Sequence, residues 1–246
     1  FHDDFHEKCP GSLSGKDFKK MIDHLNNRYN LIGASEYEEK ALKGSLKHYD
    51  ICLTFDDALR CQYDVAIPIM KNYGLEAFFF VYSSVFTSNP DFLEIYRLFR
   101  TSYYNNIDEF YIEFNELIIN ENHNDLQNHY KRFRKIEYLS EFKFYSENDR
   151  WFRYIRDQFL GNEKYKELMK VLMKKKGFDV NYAKKKLWIN EKELKEIESM
   201  GHTIALHSYS HPTQITKLSK EGQKLEYQKN YEHLTKFLTK PINAMS

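Results

Sequence analysis

The apolar positions of this chain switch between helical and strand spacing. Between residues 12 and 30 they recur at helical intervals, with Phe18, Met21, Ile22 and Leu25 on one side and Ser14 placed as N-cap. Gly33-Ala34-Ser35 breaks the pattern, and a shorter helical stretch runs from Glu36 to Leu42. Residues 51–55, Ile-Cys-Leu-Thr-Phe, form a strand-like apolar run. Helical period returns from Tyr63 to Tyr73 through Val65, Ile69 and Met70, with Gly74 as the C-terminal cap. Pro68 falls inside this stretch and imposes a kink or a late start. Ala77 to Tyr82 is a second apolar strand. Strand, helix and strand within about 30 residues predict a βαβ unit, and therefore an α/β fold with a parallel sheet.

Residues 91–187 differ in character, being polar, rich in Lys, Asn, Tyr and Phe, and poor in Gly and Pro. Phe92, Ile95, Tyr96 and Phe99 have helical spacing, as do Leu168, Val171 and Leu172, so several amphipathic helices are expected here as a cap or subdomain. Lys174-Lys175-Lys176 and Lys184-Lys185-Lys186 are expected on solvated helix faces. A helix from Asn190 to Met200 ends at Gly201, and Thr203 to Leu206 reads as a third strand. A last amphipathic helix is predicted from about Ser219 to Leu238, closed by Lys240-Pro241, with Ile242 to Met245 beginning another strand. The expected division is 1–83, a helical insertion or cap at 84–187, and 188–246.

Composition narrows the class. With 41% apolar and 16% aromatic residues in 246, the chain is globular and long enough for one large domain or two small ones. A net charge of +1 gives no reason to expect nucleic acid or an anionic membrane as partner. No run of about 18 apolar residues occurs, so no transmembrane helix is expected. Phe1-His2-Asp3-Asp4 is the opposite of a basic n-region, so no signal peptide is expected in the chain, and the cytoplasm is slightly preferred. Cys9, Cys52 and Cys61 lie at no zinc-finger or disulfide spacing, and Cys52, inside the strand, is expected as a buried free thiol. The oligomeric state has no signature in the sequence.

The chemistry lies where the strands end. The 51–55 run stops on Asp56-Asp57, and Thr203–Leu206 stops on His207, with His211 four residues later. A carboxylate at a buried strand end needs a pairing cation, hydrogen bonds or a metal. Catalytic groups of α/β sheets gather at such ends. A catalytic divalent metal takes three protein ligands and leaves a position open, and Asp57, His207 and His211 supply that set. A neighbouring carboxylate can then act as general base on water. Adjacent strand residues point to opposite faces, so the chain must bend at Asp56-Asp57. The His-x-x-x-His spacing alone says little, since His2 and His6 share it; the combination of the two strand ends is what points to a metal-assisted hydrolytic site. His2, Asp3, Asp4, His6 and Glu7 form a further ligand-rich group, read as a polar loop, as His2 lining the site mouth, or as a second metal site.

These motifs resemble those of the polysaccharide deacetylase family of NodB-homology carbohydrate esterases. The first appears as Thr54-Phe55-Asp56-Asp57 and the second as His207-Ser208-Tyr209-Ser210-His211. Residues 66–81 are similar to the helix and strand that follow the first motif, residues 193–202 to the lead-in of the second, and Phe1-His2 with Leu13–Leu25 to the opening strand and helix. The resemblance implies a distorted (β/α) barrel and removal of acetyl groups from an N-acetylated sugar or polysaccharide. It assigns Asp56 as general base and Asp57, His207 and His211 as metal ligands; His2 as a substrate-binding residue at the site mouth stays a reading of the N-terminal group alone. The implied cofactor is a divalent metal, zinc foremost, with cobalt, nickel or manganese as alternatives; the implied partner is a carbohydrate. Two departures stand out: the 84–187 insertion between the motifs, and no match to the family's later motifs, so the barrel is expected to be incomplete at its C-terminal side. A carbohydrate-binding or assembly protein that keeps the metal without turnover, and an amidohydrolase acting on a small amide, are the competing expectations.

Overall fold

Ser14 caps the first helix, α1 (Gly15–Asn26), by accepting from the Asp17 N–H, and Phe18 and Ile22 on its inner side are buried. The computed structural model describes residues 1–9 and 11–246, with the backbone alone for 120–124. The chain divides into two units, Phe1–Glu94 with Asn181–Ser246, and Ile95–Val180.

In the first unit the predicted 51–55 strand is split. Its leading half, β2 (Asp50–Ile51), pairs in parallel with β1 (Asn30–Leu31). The trailing half, β3 (Thr54–Asp56), pairs in parallel with β4 (Phe78–Val81). Between them the chain changes neighbour, with Leu53 O still accepting from Phe78 N–H at 3.0 Å. Hydropathy reports an extended segment but not which neighbour takes which half. β5 (Thr203–Leu206) lies on the far side of β4, also parallel; where a strand is expected at 242–245, Met245 alone pairs, by an isolated parallel bridge to Leu206. The fold is mixed α/β with parallel strands, in sheets of two and three strands that do not close.

Between β1 and β2 runs α2 (Ala34–Leu42), starting two residues earlier than the spacing suggests. Pro68 goes with an interruption and not a late start: residues 60–61 are already helical, 62–66 form a π-turn, and the α-helix α3 (Ile67–Asn72) resumes with the proline in its first turn. Gly74, at φ +63°, closes α3, with Gly74 N–H bonded to Lys71 O and Leu75 N–H to Met70 O. Phe55 stacks on Phe79 at 5.0 Å and meets Phe18 of α1 edge-on at 6.1 Å, so alternate residues of β3 and β4 anchor the sheet to α1. Cys52 is a free, half-buried thiol, pushed up to about 11 by burial.

The second unit is helical, with α4 (Leu93–Ser102), α5 (Ile107–Ile136), α6 (Glu147–Tyr154), a π-turn at Ile155–Leu160 and α7 (Gly161–Lys175). Its core is aromatic: Phe99, Phe110, Phe114, Phe152 and Tyr165 are all buried. Leu168 and Leu172 face that core, whereas Val171 is exposed. Lys175 and Lys176 pair with Glu113.

Back in the first unit, α8 (Val180–Leu187) leaves Lys185 exposed as expected but corrects the reading of Lys186 as solvated. The Lys186 side chain is 9% exposed, bonded to Glu7 at 2.5 Å and packed over the ring of Phe5. A capping box of Asn190 and Glu193 opens α9 (Glu191–Ser199), which leads into β5. The last helix, α10 (Lys220–Leu234), is capped by Ser219 as expected but ends four residues short and is not amphipathic. Only Asn230 and Leu234 are buried, and Leu225 faces solvent.

Candidate metal centre

The first loop of the site begins as a continuation of the sheet. Asp57 N–H still donates to Phe80 O at 3.1 Å, after which Asp57 (φ +75°) and Ala58 (φ +54°) turn the chain through the left-handed region. This is the bend the two adjacent acids require. Gln62, buried, fixes it by donating to Asp56 O at 2.5 Å. The second loop behaves alike, with Ser208 at φ +61° and His211 at φ +54°. Four of the six non-glycine residues with positive φ among the described residues therefore lie in these two loops. Such strain persists only where the surroundings enforce it.

The enforcing contacts come chiefly from α10. Asn230, fully buried, accepts from His207 N–H at 3.1 Å and donates to Val81 O and Ser83 Oγ, both at 3.0 Å. One helical turn earlier, Glu226 accepts from Tyr209 N–H at 3.0 Å, Ser210 N–H at 2.7 Å and Ser210 Oγ at 2.8 Å. Ser84 N–H donates to Tyr209 O, tying the loop to the end of β4. The inward face of α10 is thus a row of polar hooks, which explains its missing apolar stripe.

These loops bring Asp57, His207 and His211 together. Asp57 Oδ1 lies 3.4 Å from His207 Nε2 and 3.2 Å from His211 Nε2. The three ligand atoms all fall within 4.8 Å of one another. A tetrahedron with ligands about 2.0–2.1 Å from its centre has edges of about 3.3–3.4 Å. The two carboxylate-to-imidazole separations match that edge, and two imidazole nitrogens with one carboxylate oxygen are a donor set that suits a divalent cation of the zinc type.

The outward nitrogens are also placed. His207 Nδ1 is 2.6 Å from Ser246 Oγ, and His211 Nδ1 is 3.8 Å from Asp91 Oδ1. The buried ring of Tyr82 stacks on His211 at 4.6 Å and 17°, fixing its plane. Burial disfavours the His211 imidazolium, but Asp91 and Asp57 outweigh it and hold the ring above its usual pKa. Asp56, beside the trio, is raised above the usual carboxylate range by crowding around its carboxyl, with His207 and His211 opposing and Asp57 reinforcing the shift.

The N-terminal group takes no part in the trio. His2 forms a backbone bridge with Ser14, Asp3 accepts from the N–H groups of Phe5 and His6, and His6 Nε2 pairs with Asp64 at 2.9 Å. Among the described residues, Asp57, His207 and His211 are the one converging set of three metal-ligand side chains. Sequence reasoning did not find Tyr82, Asp91, Glu226 or Asn230. The signal available for the last two was a helix whose polar residues at i and i+4 stand where an apolar stripe belongs.

The polysaccharide deacetylase family profile matches residues 43–98 and 151–246, which include both loops of the site. The chain belongs to the polysaccharide deacetylase family. Among solved structures, a Streptococcus pyogenes deacetylase, PplD, in complex with acetate, is similar at 14% identity and a TM-score of 0.47, over 94% of this chain. The aligned region spans 61% of that protein. No curated protein matches the sequence.

Proposed function

We propose that this chain is a metal-dependent hydrolase that removes acetyl groups from an N-acetylated sugar or polysaccharide. The observation that carries this reading is the convergence of Asp57 Oδ1 with the Nε2 atoms of His207 and His211, next to Asp56, at the ends of adjacent parallel strands. In this reading Asp57, His207 and His211 hold a divalent cation, zinc foremost, and Asp56 is the general base. When bound, such a cation polarises an acyl oxygen and acidifies water.

The side chains divide the remaining work. Asp56 accepts the proton of the water that attacks the acyl carbon, and its raised pKa makes it a better acceptor than an ordinary carboxylate. The departing amide nitrogen must gain a proton as the C–N bond breaks. Tyr82 holds the His211 ring flat and keeps water from its buried side. Glu226 and Asn230 keep both histidines in place before any ligand arrives, which is the preorganisation that hydrolytic sites use. We further propose that the five strands belong to a distorted (β/α) barrel and that residues 84–187 are an insertion between its two motif-bearing parts.

The test is acetate release from N-acetylated chitooligosaccharides by the chain, with and without a chelator. Release that stops on chelation and returns with zinc supports the reading. Tight glycan binding without acetate release would replace it with the non-catalytic alternative.

A further inference from the structure

Three arginines of the helical unit lie near one another with too few acids to match them. Arg156 is satisfied by Asp157, Nε to Oδ1 at 2.6 Å and Nη2 to Oδ2 at 2.9 Å. The other nearby acid, Asp149, is engaged elsewhere: Oδ1 by the Tyr111 hydroxyl and Oδ2 by Ser146 N–H and Oγ. Among the described residues no carboxylate pairs with Arg100. Its guanidinium faces the rings of Phe152 at 4.8 Å and Phe110 at 5.5 Å, and its one hydrogen bond among the described residues runs from Nε to Tyr96 O at 3.3 Å. Arg153 lies over the ring of Tyr145 at 4.0 Å, and its buried Nε has no hydrogen-bond partner among the described residues. Arg153 and Arg156 are the like-charged neighbours of Arg100.

Tyr165 shares these neighbours: it is 4% exposed, its hydroxyl is buried with no hydrogen-bond partner among the described residues, and the charged groups acting on it are Arg100, Arg156, Asp157 and Arg153. Position in the last turn of α4 helps to account for Arg100, because carbonyl ends favour a cation there. It does not account for the Arg153 Nε or the Tyr165 hydroxyl. Buried donors of this kind are normally paired, and a cluster of them is costly unless an acceptor completes it.

We propose that the helical unit binds a compact oxyanion, a phosphoryl or carboxylate group, at Arg100, Arg153 and Tyr165. The planar guanidinium forks and a hydroxyl donor suit such an anion, and the flanking rings of Phe110 and Phe152 leave only the guanidinium edge of Arg100 to bind it. All three residues belong to the helical unit, and the proposal does not depend on the metal reading.

The experiment titrates the full chain with inorganic phosphate, and separately with acetate, against sodium chloride of equal ionic strength, following thermal unfolding and calorimetric binding. A saturable rise in melting temperature with one-site binding is expected for phosphate. Acetate competing for the same site marks a general oxyanion site, whereas phosphate binding alone marks a phosphoryl site. Tyr165→Phe and Arg153→Gln, which alter little of the packing, each weaken binding about tenfold, and Arg100→Met abolishes it while the far-ultraviolet dichroism of the parent is kept. Phosphate that stabilises the parent no more than chloride would overturn the proposal. So would Tyr165→Phe and Arg153→Gln variants that bind like the parent.

Discussion

His202 and His211 show how differently one residue type can be used a few positions apart. His202 Nδ1 accepts from Ala77 N–H at 3.1 Å, its ring meets Phe79 edge-on, and burial pushes its pKa down to about 4. The folded protein therefore keeps this ring neutral, while the unfolded chain protonates it near pH 6.5. Between pH 6.5 and 4 the unfolded state binds more protons, so stability is fully present above pH 6.5 and declines as pH falls, by up to about 3 kcal/mol from this group. Urea midpoints should fall from pH 7.5 to pH 5. In His202→Asn, whose carbonyl can replace Nδ1 as acceptor, that dependence should flatten; an unchanged slope would remove His202 as its source. His207 and His211 were legible because they follow an apolar run at a strand end. His202 was visible only as a flanking residue, since nothing local announces that its nitrogen meets a backbone N–H on another strand. Asp91 was equally hidden, facing His211 from a distant segment. If it orients that ring, Asp91→Asn, which keeps an acceptor for Leu93 N–H, should weaken zinc binding at least tenfold in a chelator competition.

Among the elements, β3, β4 and α3 could be read from the chain because short apolar runs bounded by glycine and acids leave few choices. The split of residues 51–55 between two neighbours could not, because pairing depends on what lies beside the strand rather than on its own pattern. Helix α10 is the instructive error. Its expected apolar stripe is absent, and Glu226 and Asn230 instead carry the loops of the site. Asn230→Leu would leave His207 N–H and Val81 O without their partner, at a cost of about 3 kcal/mol. Glu226→Gln keeps the size but loses the charge that holds Tyr209 and Ser210. Zinc affinity should fall about tenfold with little change in unfolding of the metal-free protein. Equal losses of stability and affinity would instead make Glu226 an ordinary structural residue.

For the molecule as a whole, the two motif-bearing segments fold into one unit although Ile95–Val180 separates them in sequence. A cation that binds only the folded form of that unit stabilises it by about 2.7 kcal/mol at a hundredfold excess over its dissociation constant. Chelation should therefore lower the melting temperature of the transition that includes β3, β4 and β5. The roles assigned to the adjacent acids are the core of this picture, and they separate cleanly. The decisive measurement is zinc stoichiometry, by equilibrium dialysis and elemental analysis, alongside acetate release for the parent, Asp57→Ala and Asp56→Asn. Asp57→Ala should lose both zinc and activity, whereas Asp56→Asn should keep one zinc per chain and lose activity by at least a hundredfold. An Asp57→Ala protein that retains zinc as tightly as the parent, or an Asp56→Asn protein that turns over at the parent rate, would contradict it.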